Sequence, residues 1–298
     1  MISVPEIRQF FKGTIRLNEP LEEYAVFGIG GAADVYLEPA SRDDAIGVIG
    51  YLRKNNVPFI IIRKGSNILV SDAGYRGAVL NIQPGMSRIV ADGDEVHAEA
   101  GVSIPRLLEF CIDHSLSGLE QLAGLPGSLG GILSRSESPE RDAVLDCLKD
   151  TEILRGDAVV SLANGSPSAG DIILAARFRL RAKSKSDLLR AKREFLLKRN
   201  AVSPLNIPRA CRVFKNPAGT QAATMIHDSG LIGRVRGHAM ISEINGNLIV
   251  NNGGATASDI LDLVRMSKQA VKKKFNTDLD LDMNLIGFGD DILNSASA

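Results

Sequence analysis

Gly124-Leu125-Pro126-Gly127-Ser128-Leu129-Gly130-Gly131 sets five small residues and a proline in eight positions, just behind the Leu-rich segment 116–122. Glycine tolerates positive φ and lets a backbone come close to a ligand, proline fixes φ, and successive free N–H groups form an anion-binding nest. The run is therefore expected to be neither ordinary helix nor strand but a phosphate-cradling turn, the alternative being a tight structural turn. Two further Gly-rich turns precede it. Lys64-Gly65-Ser66-Asn67 joins the apolar residues 57–62 to Ile68-Leu69-Val70, a strand-loop-strand pattern whose tip offers N–H, hydroxyl and amide donors. Gly28-Ile29-Gly30-Gly31 stands before the alternating stretch Val35-Tyr36-Leu37-Glu38, which Pro39 ends. None of the three matches a P-loop or a Rossmann fingerprint.

Composition sets the outer limits. A chain of 298 residues supports two or three modules with substantial cores. With 35 basic against 35 acidic residues, it lacks the charge excess of a nucleic-acid or anionic-membrane binder, and neither partner is expected. Residues 181–199 are rich in Lys and Arg but carry Leu188, Leu189, Phe195 and Leu196 at helical spacing, so they read as a solvated amphipathic helix. Cys111, Cys147 and Cys211 are odd in number and widely spaced, which suits a reduced compartment better than a disulfide framework. With no basic-apolar-small leader pattern and no apolar run of membrane-spanning length, the expected location is the cytoplasm. His97, His114 and His238 have no metal spacing with Cys or acidic neighbours, and no metal is expected.

Helix-like and strand-like runs alternate, which argues an α+β or mixed α/β fold. Residues 43–55 read as a helix with Ser41 as N-cap, 78–82 and 95–100 as strands, 105–114 as a helix with Cys111 on its core face, and 172–180 as a strand. A new module is expected from about residue 203, with Val213-Phe214 in a strand, 222–229 a helix, 248–251 a strand and 257–275 a long helix.

The order of these motifs resembles the UDP-N-acetylenolpyruvoylglucosamine reductase family, the MurB flavoenzymes of peptidoglycan synthesis. The residues that carry the resemblance are Gly30-Gly31-Ala32-Ala33-Asp34, Gly65-Ser66-Asn67-Ile68-Leu69-Val70-Ser71-Asp72, Gly118-Leu119-Glu120, the run from Gly124 to Gly131, Val213-Phe214-Lys215-Asn216-Pro217, Gly230-Leu231-Ile232-Gly233 and Asn247-Leu248-Ile249-Val250-Asn251. They span nearly the whole chain, and their order and context agree together. The resemblance implies an FAD-binding fold of two subdomains, of the MurB and vanillyl-alcohol-oxidase type, at 1–82 and 83–200, followed by a substrate domain at 201–298 of the compact subtype. It assigns FAD to Gly30, Gly31, Gly65, Ser66, Asn67, Gly124, Pro126, Gly127, Ser128, Gly130 and Gly131, and a nucleotide sugar to Lys215 and Asn216.

The resemblance also implies a reaction in which NADPH reduces FAD and the reduced flavin passes hydride to an enolpyruvyl double bond. In that pattern a serine donates the proton, while an arginine and a glutamate stabilise the enol. Here Arg212 stands at the serine position, and arginine stays protonated and makes a poor acid. The family's Tyr-Arg-x-Ser segment has no counterpart in residues 161–170, and Asp282 stands at the glutamate position, one methylene shorter. Cys211 is read as a thiol packed in the core, and His227 as a helix-surface histidine near the substrate side. Arg63 replaces a usual glycine, and Ser136-Glu137-Ser138 replaces Asn-Ala-Gly. These departures favour a homologue that keeps FAD or nucleotide-sugar binding with the reductase activity lost or strongly altered, a pseudoenzyme. The alternatives are an active NADPH-dependent reductase of cell-wall synthesis and a different flavin oxidoreductase that uses Cys211 or Asp282.

Overall fold

The computed structural model of the chain describes residues 2–62, 67–134, 139–163, 167–168, 170–202, 209–289 and 292. They fall into two compact units. The first comprises Met1–Arg16, Val35–Arg63 and Gly77–Leu205, and the second Leu17–Asp34, Lys64–Arg76 and Asn206–Ala298.

In the first unit, an antiparallel sheet runs in the order Ala158–Ala163, Leu148–Arg155, Ile172–Arg179, Glu95–Glu99, Ile89–Asp92. Its register follows from period-two patterning: Val96 pairs with Phe178 and Ala98 with Ala176, all four buried, while His97 pairs with Arg177 on the polar face. That face carries an ion-pair network, with Arg42 Nη1 2.6 Å from Glu152 and His97 Nε2 3.4 Å from the same carboxylate. Helix Arg42–Lys54 begins where Ser41 Oγ accepts the Asp44 N–H at 3.2 Å, and it buries Ala45, Val48, Ile49 and Leu52. Strand Phe59–Ile62 runs parallel to Tyr75–Asn81, with Ile60 opposite Val79. Helix Ile104–Asp113 is capped by Ser103 and has Pro105 in its first turn. Cys111 lies in its buried face, where burial, reinforced by Glu120 and Cys147, pushes the thiol up to about 12. At neutral pH it stays a neutral, unreactive thiol. Alkylation of the native protein followed by peptide mass mapping is expected to leave Cys111 unmodified until denaturant is added; prompt native labelling would contradict that burial.

The second unit is built on the antiparallel strands Ala210–Arg212, Leu248–Asn251, Ala239–Ile241 and Val235–Arg236, in that order, with helices Ala222–Asp228 and Ala257–Phe275. The long helix starts in a capping box: Thr256 Oγ1 accepts the Asp259 N–H and Asp259 accepts the Thr256 N–H. Asp72 adds a second cap, both of its oxygens 3.1 Å from the Ala257 N–H. Strand Ile68–Val70 pairs in parallel with Asn284–Ile286. Phe27, Leu69, Val213, Phe214, Ile260 and Val264 belong to the core. Buried Asn251 ties this unit together, donating to Phe27 O at 2.8 Å and accepting from Gly253 and Ala255 at 2.8 and 3.1 Å. Asn251→Ala strands those groups and is expected to cost about 1–3 kcal/mol, read as a lower urea midpoint.

Helix 257–275 and strand 248–251 fall where the periodicity puts them, but three expectations are corrected. The strand expected at Val213-Phe214 ends at Arg212, because the chain then leaves the sheet: Val213 O accepts the Asp282 N–H at 2.8 Å and Phe214 bridges Leu281. The basic helix expected at 181–199 spans Lys185–Val202, since Arg181–Ala182 is spent pairing with Leu116–Ser117. The Gly-rich run is not free of helix, for Leu129–Leu133 forms a short one that includes Gly130 and Gly131.

Candidate functional site

The run from Gly124 to Gly131 belongs to the first unit. Gly124 and Gly127 adopt φ +78° and +102°, a region that L side chains rarely enter. The loop is pinned to the segment Ala100–Ile104: Ile104 N donates to Gly127 O at 3.1 Å, Leu129 N to Val102 O at 2.9 Å, Gly130 N to Ala100 O at 2.9 Å, and Ser128 Oγ to Ala100 O at 2.7 Å. The Gly131 N–H is used within the turn, on Ser128 O. Among the described residues, the N–H groups of Gly127 and Ser128 have no hydrogen-bond partner, although Ser128 is only 1% exposed. A buried N–H such as that of Ser128 is rarely left so, and with the half-buried Gly127 N–H beside it on the turn it makes a donor pair suited to a diphosphate. These residues fit the pyrophosphate of FAD. Close by in sequence, Glu120 is buried and accepts from Ser117 Oγ at 2.6 Å and Gly118 N at 2.8 Å, which explains the Gly118-Leu119-Glu120 signal as a structural turn.

Gly30, Gly31, Asn67, Arg212, Lys215, Asn216 and Asp282 belong to the second unit. A Cβ on Gly30 would lie 2.7 Å from Val70 Cβ, and one on Gly31 would lie 2.3 Å from Asp72 O. Both glycines line a cavity of about 620 Å³ together with Glu22, Glu23, Asp72, Arg209 and Asn251. Sequence reasoning missed those polar lining residues. They come from four separated segments, and only Asp72 and Asn251 lie in a motif.

Asp282 and Arg212 are brought together by the pairing of the chain after strand Ala210–Arg212 with residues 280–282. Lys215 N donates to Asp280 O at 2.9 Å and Asp282 N to Val213 O at 2.8 Å, which aligns the two side chains. Arg212 donates from Nη2 and Nε to the same oxygen, Oδ2 of Asp282, at 2.8 and 3.1 Å. The arginine side chain is 41% exposed and the aspartate 10%. Asn67 joins this group: its Nδ2 donates to Asp282 O at 3.1 Å, its carbonyl accepts the Asn284 N–H at 3.0 Å, and Cys211 Sγ donates to its Oδ1. Cys211 itself is buried in the core. Lys215 and Asn216 are exposed, and Asn216 Oδ1 accepts the Ala222 N–H at 3.2 Å at the start of helix Ala222–Asp228. His227 is 70% exposed at the end of that helix, 3.0 Å from Asp228. Gly65, Ser66, Arg63 and Ser136-Glu137-Ser138 lie outside the described residues. Among the described residues no cluster of His, Cys, Asp or Glu has the arrangement of a metal site, and no helix is long and apolar enough to cross a membrane.

The fold is that of a flavoprotein of the FAD-binding class, for residues 33–160 match the family model described as "FAD binding domain". Residues 203–286 match the model described as "UDP-N-acetylenolpyruvoylglucosamine reductase, C-terminal domain". A protein of Chloroherpeton thalassium with the name UDP-N-acetylenolpyruvoylglucosamine reductase is 34% identical over 97% of this chain and 98% of its own length. One of Carboxydothermus hydrogenoformans with the same name is 36% identical over 95% and 97%. Among solved structures, UDP-N-acetylenolpyruvylglucosamine reductase (MurB) from Thermus caldophilus superimposes with a TM-score of 0.76 at 28% identity, covering 93% of this chain and all of that one. The chain belongs to the UDP-N-acetylenolpyruvoylglucosamine reductase family, and FAD is its cofactor.

Proposed function

We propose that the chain is an NADPH-dependent reductase of the enolpyruvyl ether of a UDP-sugar, acting in the cytoplasm in cell-wall precursor synthesis, and that it delivers the final proton slowly. The observation that carries this reading is the match over nearly the full length of both chains to relatives bearing that reductase name. FAD, when bound, supplies hydride taken from NADPH to the double bond. The Gly127 and Ser128 N–H groups would hold its diphosphate through the backbone, a contact that does not depend on the identity of a side chain. Asp282, fixed by its backbone and by Asn67, keeps a carboxylate at the enol-stabilising position. What differs is the missing Tyr-Arg-x-Ser segment, with its enol-stabilising arginine, and proton delivery. A guanidinium does not release its proton at ordinary pH, so the proton reaching carbon comes from water. Loss of a positioned general acid costs about 10²- to 10⁴-fold in rate.

The Arg212–Asp282 ion pair favours a second reading, in which FAD and nucleotide-sugar binding persist and the reduction is lost. The two positions that would handle proton and enol are locked onto one another at 2.8 Å. The test has two parts. FAD titrated into purified protein is expected to bind, and Gly127→Val is expected to weaken binding about tenfold or more by forcing the turn out of positive φ. NADPH consumption that depends on the UDP-sugar, with the lactyl ether as product, supports the reductase reading. Consumption without any such product supports the second.

A further inference from the structure

Among the described residues, the Arg212 guanidinium is held along one edge only. Its Nε and Nη2 share a single oxygen of Asp282, while Nη1 makes no hydrogen bond to any described residue. Asp282 is fixed in turn, through its N–H to Val213 O and through its carbonyl from Asn67. The aspartate is nearly covered and the arginine is 41% exposed, so the anchored cation keeps part of its side chain open to solvent. A guanidinium is a planar fork that matches the two oxygens of a carboxylate, and an ion pair that spends only one edge leaves the other to a second anion. The substrate class proposed above carries a carboxylate on its enolpyruvyl group and a diphosphate elsewhere. We propose that Arg212 is the substrate-binding residue that receives the enolpyruvyl carboxylate, with Asp282 as the positioning residue that orients it. This rests on the UDP-enolpyruvyl-sugar reading. It gives the large residue at this position a use: the side chain that cannot supply a proton supplies the anion contact that aligns the double bond.

The experiment compares two ligands on the FAD-loaded protein by titration calorimetry: UDP-N-acetylglucosamine enolpyruvate and UDP-N-acetylglucosamine, which shares the diphosphate and lacks the carboxylate. The native protein is expected to prefer the first by about tenfold or more, the worth of a charge-assisted contact. Arg212→Gln is expected to abolish the preference by weakening the first ligand alone, and Arg212→Lys to keep part of it. Because Arg212→Gln leaves Asp282 with one partner fewer, the double variant Arg212→Gln with Asp282→Asn is measured beside it and is expected to lose the preference equally. A preference that survives in both variants overturns the assignment, as does equal weakening of the two ligands, which would put the diphosphate on Arg212. Failure of the native protein to bind either UDP-sugar would instead overturn the substrate reading beneath it.

Discussion

Gly31→Ala is expected to destabilise the protein by about 3 kcal/mol even without FAD, the upper range for forcing atoms into a packed site. An added Cβ would sit 2.3 Å from Asp72 O and 2.5 Å from Gly74 N, both backbone atoms with no rotamer to escape through. The same turn is fixed by the Gly31 N–H on Ser71 O at 2.9 Å, and Asp72 caps the helix Ala257–Phe275. Relief of the clash therefore shifts the helix cap. Denaturant melts of the FAD-free and FAD-loaded variant measure it. Unchanged stability of the FAD-free form, with a loss confined to FAD affinity, would mean that Gly31 serves the cofactor and not the packing.

The second large effect is kinetic. Steady-state turnover is expected to fall about 10²- to 10⁴-fold below that of a serine-bearing relative, with NADPH reduction of the flavin unimpaired and the deficit confined to the step that consumes the UDP-sugar. Nothing in flavin reduction asks for a proton at substrate carbon, whereas the later step needs one and meets Arg212. Arg212→Ser restores a hydroxyl but removes the carboxylate contact and one partner of Asp282, so little recovery in kcat/KM is expected, with KM rising. Stopped-flow traces of the two half-reactions check this. Large recovery with unchanged KM would mean that the guanidinium contributes nothing to binding.

Much of the architecture was legible because local signals agreed. Ser41 and the apolar spacing of Ala45, Val48, Ile49 and Leu52 mark the helix Arg42–Lys54, and Ala257–Phe275 falls on its expected bounds. The errors came from tertiary pairing that no local pattern encodes. Val213 and Phe214 are as β-prone as any strand residue, yet their backbone pairs with 280–282, nearly seventy residues away, in an isolated bridge. Gly130 and Gly131 enter a helix because the pairing of Leu129 and Gly130 with the segment at Ala100–Val102 sets the turn, overriding their low helix propensity. Of the site, the altered residues Arg212 and Asp282 could be named from the motifs, but not their mutual ion pair, which requires knowing that two distant segments run side by side. Likewise Arg209, Glu22 and Glu23 carry no motif and are found only by the cavity they share.

A chain that uses FAD to reduce an enolpyruvyl UDP-sugar slowly returns its flavin to the oxidised state only as the reduced sugar forms. The most direct measurement reduces the FAD-loaded protein anaerobically with one equivalent of NADPH, adds UDP-N-acetylglucosamine enolpyruvate, and follows the flavin absorbance while the product is identified by mass spectrometry. Slow return of the oxidised flavin spectrum is expected, in step with a product two mass units heavier than the substrate. A flavin that stays reduced with the bound substrate unchanged would contradict it.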